Sequence, residues 1–161
     1  TLSSPTLTGP TISTPSISTP TITYPTFSTY GSIKALFEPA TITGSAPSST
    51  TNFDVVTQAV QYYTSNASTN FTLNIRGDGS TTLNSILSTG QSVTCTLLVT
   101  NGGTAYYPST IQVDGSTVTP KWANGVAPAA GNTSSVDIYS FVVVKTASAT
   151  YTVFASQSKF A

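Results

Sequence analysis

The chain has no histidine and no methionine, a single cysteine, and only five basic and five acidic residues in 161. Each shortage excludes something. Without histidine there is no usual general base, no His-based catalytic triad and no imidazole zinc ligand. One cysteine, Cys95, cannot form a disulfide within the chain. Charged residues make up 6% of the sequence, against about 25% in an average soluble protein. No basic stripe exists to neutralise phosphates, and no polybasic patch to hold an anionic membrane, so neither nucleic acid nor membrane is an expected partner. No apolar run reaches the roughly 18 residues that mark a spanning helix, and no signal-peptide pattern is present. Since Met is absent and Thr1 opens partway into a repeat, the expectation is a processed chain or the C-terminal portion of a longer one.

The carboxylates are Glu38, Asp54, Asp78, Asp114 and Asp137. Glycoside hydrolysis needs two of them about 5–10 Å apart. None lies close to another in sequence; Asp54 and Asp137 are the pair that a fold could bring together, and Asp114 belongs to a turn. Neither a phosphate-cradling glycine loop nor an Asp-rich calcium loop appears. The expectation is a protein that is not an enzyme and uses no cofactor or metal. Arg76-Gly77-Asp78 has the form of an integrin-binding tripeptide, but it also reads as a strand end followed by a turn. Asn66, Asn70 and Asn132 head Asn-x-Ser/Thr triplets, which a chain this rich in Asn, Ser and Thr produces by chance.

What the chain has in abundance is a repeat. Residues 1–30 read TLSSP TLTGP TISTP SISTP TITYP TFSTY, with proline at every fifth position from Pro5 to Pro25. Leu2, Leu7, Ile12, Ile17, Ile22 and Phe27 recur in the same register. Proline at this spacing excludes a helix and a central strand, and it pushes each preceding residue to extended angles. Thirty extended residues reach about 90–100 Å. One such strand has too few apolar side chains for a core, but several copies side by side could bury the row. Residues 1–31 are therefore expected to form a shaft or arm that self-associates, three chains being the expected number, through Leu7, Ile12, Ile17, Ile22 and Phe27. A disordered Pro/Ser/Thr linker and a pentapeptide solenoid are the alternatives.

Residues 32–161 read as a β domain of about eight strands, an antiparallel, jelly-roll-like β-sandwich. Residues 40–42 continue an edge strand after Pro39. Residues 53–64 read as one strand with apolar groups on both faces. Phe71, Leu73 and Ile75 alternate inward, as do Val93, Cys95, Leu97 and Val99. Asp114-Gly115 between two alternating runs predicts a hairpin, with Val113 opposite Ser116 and Ile111 opposite Val118. Residues 82–88 form the one good helix candidate, capped by Ser80 or Thr81 and stopped by Gly90. Residues 136–145 form the longest strand. Val136, Ile138, Val142 and Val144 share one side of it and Tyr139, Phe141 and Val143 the other, so both faces are expected to be covered. Residues 149–156 pair back on it.

The aromatic residues are the candidates for binding. Trp122, beside Lys121 and just before a turn, and the pair Tyr106-Tyr107 suit sugar stacking or a protein interface. Both also read as fillers of the core or of a subunit seam.

The pentad style TISTPSISTPTITYP, followed by segments 34–38, 59–67 and 118–122 of a compact β domain, resembles the C-terminal region of tail-fibre and other virion structural proteins of tailed bacteriophages, marine and cyanobacterial ones above all. The resemblance spans the chain and carries no catalytic residues. It implies a trimeric or otherwise multimeric appendage on a virion, for which a homotrimer is the expected state and other virion proteins and a host-surface glycan or protein are the expected partners. Two other readings stand beside it. One is an extracellular filament whose subunits join through the N-terminal arm; the other is a carbohydrate-binding module using Trp122.

Overall fold

The computed structural model describes residues 37–160. Leu7, Ile12, Ile17, Ile22 and Phe27 lie outside the described residues, and so does the expected domain boundary at residue 32. The ten strands among the described residues are β1 (Ala40–Thr43), β2 (Thr50–Asp54), β3 (Val60–Tyr63), β4 (Phe71–Arg76), β5 (Ser92–Thr100), β6 (Pro108–Val113), β7 (Ser116–Val118), β8 (Lys121–Trp122), β9 (Val136–Ala147) and β10 (Thr150–Phe160). One short helix, α1 (Leu83–Ile86), sits between β4 and β5. The fold is all-β, in two mixed sheets. The six-stranded sheet has the order β1-β3-β5-β9-β10-β8 and the four-stranded sheet β2-β4-β6-β7.

The pairing corrects the antiparallel expectation. From β1 to β6 the chain changes sheet after every strand, so each strand neighbours the one two places earlier. It re-enters each sheet from the same end, and the pairs β1–β3, β3–β5, β2–β4 and β4–β6 are all parallel. Antiparallel pairing appears at the hairpins β6–β7 and β9–β10 and where β9 lies along β5. Alternation of apolar and polar residues is the same in either direction, so the sequence pattern does not distinguish them.

A single apolar core draws on both sheets. Phe53, Phe71, Leu73, Ile75, Ile111 and Val113 come from the four-stranded sheet, and Cys95, Leu97, Val99, Tyr139, Phe141, Val143 and Val153 from the six-stranded one. Burying each large apolar side chain contributes about 1.5–3 kcal/mol. The alternation expected in β4 and β5 is observed. So is the Asp114-Gly115 hairpin, with Val113 paired to Ser116 and Ile111 to Val118. Its two turn residues have φ of 51° and 79°, the left-handed values that a two-residue hairpin turn of this type requires.

Three local expectations fail. Residues 53–64 are two strands in different sheets. The carbonyl of Asp54 accepts from the backbone N–H groups of Thr57 and Gln58 and from the Thr57 hydroxyl, and this turn carries the chain across. Next, α1 is one turn long and its cap is Thr82, whose hydroxyl accepts from the Ser85 N–H; Leu83 is buried but Ile86 is 41% exposed. Finally, the described residues cover β9 on one face. Tyr139, Phe141 and Val143 point into the core, while Val142 is exposed and Val136, Ile138 and Val144 are half-buried.

Candidate functional site

The four candidate binding residues do not form one cluster. Strand β8 pairs with β10 through Lys121–Phe154 and Ala155–Trp122. Neighbours along a strand point to opposite faces. Trp122 turns toward the core and meets Phe141 edge to face, with ring centroids 6.1 Å apart and planes at 69°. Lys121 is exposed on the other face, with Phe154 and Val142. Lys121 and Trp122 leave β8 on opposite faces, yet both border one shallow pocket with Val142 and Phe154.

Trp122 does line open space. A groove of about 520 Å3 runs past it, bounded by Asn124, Val126, Pro128, Gln157 and Lys159. A second groove, of about 270 Å3, is lined by Trp122, Pro128, Tyr107, Ile111, Val118 and Pro120. Trp122, Ala127 and Pro128 border both. The structure thus joins Tyr107 to Trp122 and leaves Tyr106 apart. The Tyr106 backbone N–H donates to Asn101 Oδ1 at 2.9 Å, and its ring packs on the core. Tyr107 donates its N–H to Asn70 Oδ1 and accepts from the Phe71 N–H.

The loop of residues 123–131 forms the apolar side of the larger groove. Val126 is 72% exposed at its crest. Asn124 and Gly125 turn the chain with φ of 58° and 71°. Behind the loop lies a polar network that the sequence reading did not assemble. Asp137 is fully buried, and its Oδ2 accepts from the Asn132 N–H at 2.8 Å and from Asn101 Nδ2 at 3.2 Å. Gln157 Nε2 donates to Tyr139 Oη at 3.0 Å and to the Ala130 carbonyl at 3.1 Å. Oδ1 of Asp137 has no hydrogen-bond partner. Gly131 closes the network: a Cβ there would lie 2.6 Å from Asn101 Nδ2 and from the Tyr106 carbonyl, so no larger residue fits. Burial first, and the Asp137 charge second, push the Tyr139 hydroxyl well above its ordinary pKa and keep it neutral. The signal for Asp137 was present in the sequence, since it shares the register of Tyr139, Phe141 and Val143 on the core face.

The remaining motifs resolve into structure. Arg76 Nε donates to Asp54 Oδ1 at 2.7 Å. Asp78 Oδ1 accepts from the Ser80 and Thr81 N–H groups, both at 2.7 Å, and these bonds hold its carboxyl below the usual range. The Arg-Gly-Asp tripeptide is thus tied into a turn. Asp54, on β2 of the four-stranded sheet, is bonded to Arg76, and Asp137, on β9 of the six-stranded sheet, to Asn101 and the Asn132 N–H. Among the described residues, no cluster of three or more His, Cys, Asp or Glu side chains is placed to hold a metal ion. The Trp122 groove brings together an indole ring, the apolar Val126 and Pro128, the Asn124 amide and Gln157, whose Nε2 is already engaged with Tyr139 and Ala130. No protein-family model, curated protein or solved structure matches this chain.

Proposed function

We propose that this chain is a non-enzymatic structural protein of a virion, a fibre or decoration module at the particle surface. In this reading residues 1–31 form the self-associating arm, as a homotrimer, and the β domain is the head. The two sheets face each other across the shared core as a sandwich, with parallel ladders where a jelly roll has antiparallel ones. The observation that carries the reading is the pentad register of Leu7, Ile12, Ile17, Ile22 and Phe27 ahead of a nearly uncharged β domain. The Trp122–Tyr107 grooves are the candidate contact for a host-surface glycan, since a sugar ring stacks its apolar face on an indole. Other virion proteins are the remaining partners.

A second reading has one observation in its favour. Among the described residues, strand β1 pairs with β3 on one side only, and its side chains are largely exposed. Such an edge accepts an added strand, as a filament subunit joined to its neighbour through the arm would require.

Light scattering on the full chain tests both readings, beside a variant carrying Ile12→Asp, Ile17→Asp and Ile22→Asp. A discrete trimer, or a hexamer of two trimers, that the variant breaks up supports the fibre. Open polymers that the variant abolishes support the filament. Equal mass for the two proteins overturns both.

A further inference from the structure

The outer face of the six-stranded sheet carries an apolar surface that the described residues leave uncovered. Register aligns Ile42, Tyr62, Leu98 and Ile138 in one row across four strands, all on the side away from the core. Flanking it are the cross-strand pairs Val142–Phe154 and Val136–Phe160. Phe154 is 48% exposed, Phe160 54% and Ile42 70%. Every other outward position on β1, β3, β5, β9 and β10 is Ala, Val, Ser or Thr, without a charge. Lys121, at the β8 edge, is the nearest charged side chain on that face. Strands rich in Val and Ile on both sides belong in sheets covered on both sides. Here β9 has that composition and one covered face.

We propose that this face is a contact between two copies of the chain, face to face. Its chemistry suits a copy of itself. In a two-fold contact the same patch meets itself, so a charge near the axis would confront its like. On the five longer-paired strands this face has apolar and hydroxyl groups alone, with Lys121 set at the β8 edge beside Phe154, and each hydroxyl can donate or accept. The extent is sufficient as well. The 40 residues of β1, β3, β5, β9 and β10, with strands about 4.8 Å apart and roughly 3.3 Å per residue, give a face of about 630 Å2 per copy, and the pair exceeds the roughly 1,000 Å2 that a specific interface needs. The inference is independent of the arm reading.

Sedimentation of the full chain tests it, beside a variant with Val142→Lys and Phe154→Lys. Both positions are exposed, so the fold tolerates the change, which an unaltered circular dichroism spectrum and melting temperature verify. The expected result is that the two lysines halve the particle mass. An unchanged mass, or a wild-type chain that is already monomeric, overturns the proposal. Oxidative crosslinking gives a second measurement. Thr96→Cys, Ser140→Cys and Ser156→Cys, made singly across the middle of the face, should yield at least one disulfide-linked dimer. Thr117→Cys on β7 should not. Failure of all three overturns the proposal. Adding the lysine pair to the arm variant separates the two ideas, because the halving should persist even where the arm substitutions leave the mass unchanged.

Discussion

At the scale of single residues, burial decides the behaviour of the ionisable groups. Cys95 is fully buried, and desolvation pushes its thiol up to about 12. The thiolate is the reactive form, so an aromatic disulfide reagent should leave Cys95 untouched in the native chain and label it at once in denaturant. Tyr63, Tyr139 and Tyr151 are also raised above the ordinary value of 10, in each case first by burial. The unfolded chain releases these protons at lower pH than the folded one. Their contribution to stability is therefore complete below pH 10 and is lost as pH rises toward the folded values. In an alkaline titration, phenolate absorbance should stop short of all eight tyrosines and reach eight only as the circular dichroism signal collapses. Asp137 to Ala would strand Asn101, Asn132 and Gln157 without their shared acceptor. Leaving buried donors unpaired costs about 1–3 kcal/mol each at most; a denaturant midpoint lowered by several kcal/mol equivalents, with the Trp122 emission shifted, is the expected outcome.

At the scale of elements, the hairpin between β6 and β7 does more than reverse the chain. The Asp114 carboxylate accepts from the backbone N–H of Leu83 at 2.7 Å and of Asn84 at 2.9 Å, and from the Tyr151 hydroxyl at 3.1 Å. One turn residue thus ties the hairpin to α1 and to β10. Lys145 secures the other end of the helix, its Nζ donating to the carbonyls of Asn84 and Leu87 at 2.7 and 2.8 Å. Asp114→Ala should cost about 2 kcal/mol in urea denaturation. Asp114→Asn should recover only part, because its amide nitrogen cannot accept. Gly115→Ala, which leaves these bonds in place, should cost about 1 kcal/mol through its φ of 79° alone.

At the scale of the whole molecule, the scarcity of charge governs association. With zero net charge and 6% charged residues, the proposed contacts between copies are expected to rest on apolar burial rather than on ion pairs. The particle mass should be the same in dilute and in concentrated sodium chloride. Sulfate should favour the larger species, since it strengthens the burial of apolar surface. A mass that falls steeply with added sodium chloride would contradict this account. Binding at the Trp122 groove belongs to the same scale. Trp122 is the only tryptophan, so a glycan stacked on it should change the emission, and Trp122→Ala should abolish binding while leaving the assembled mass as it was.

The sequence by itself determined the local features. Alternation named the core sides of β4 and β5, and Asp114-Gly115 specified its turn and the pairing beside it, because these depend on neighbours in the chain. The opposite directions of Lys121 and Trp122 follow from the same alternation along β8. Tertiary structure decided the rest. A turn at Asp54 sends one apparently continuous strand into two sheets. Parallel and antiparallel ladders share the same period of two, so only the path between sheets sets the direction. The network of Asn101, Gly131, Asp137 and Gln157 joins residues far apart in sequence. An outward row such as Ile42, Tyr62, Leu98 and Ile138 exists only once register has aligned four strands, since each strand contributes a single residue to it.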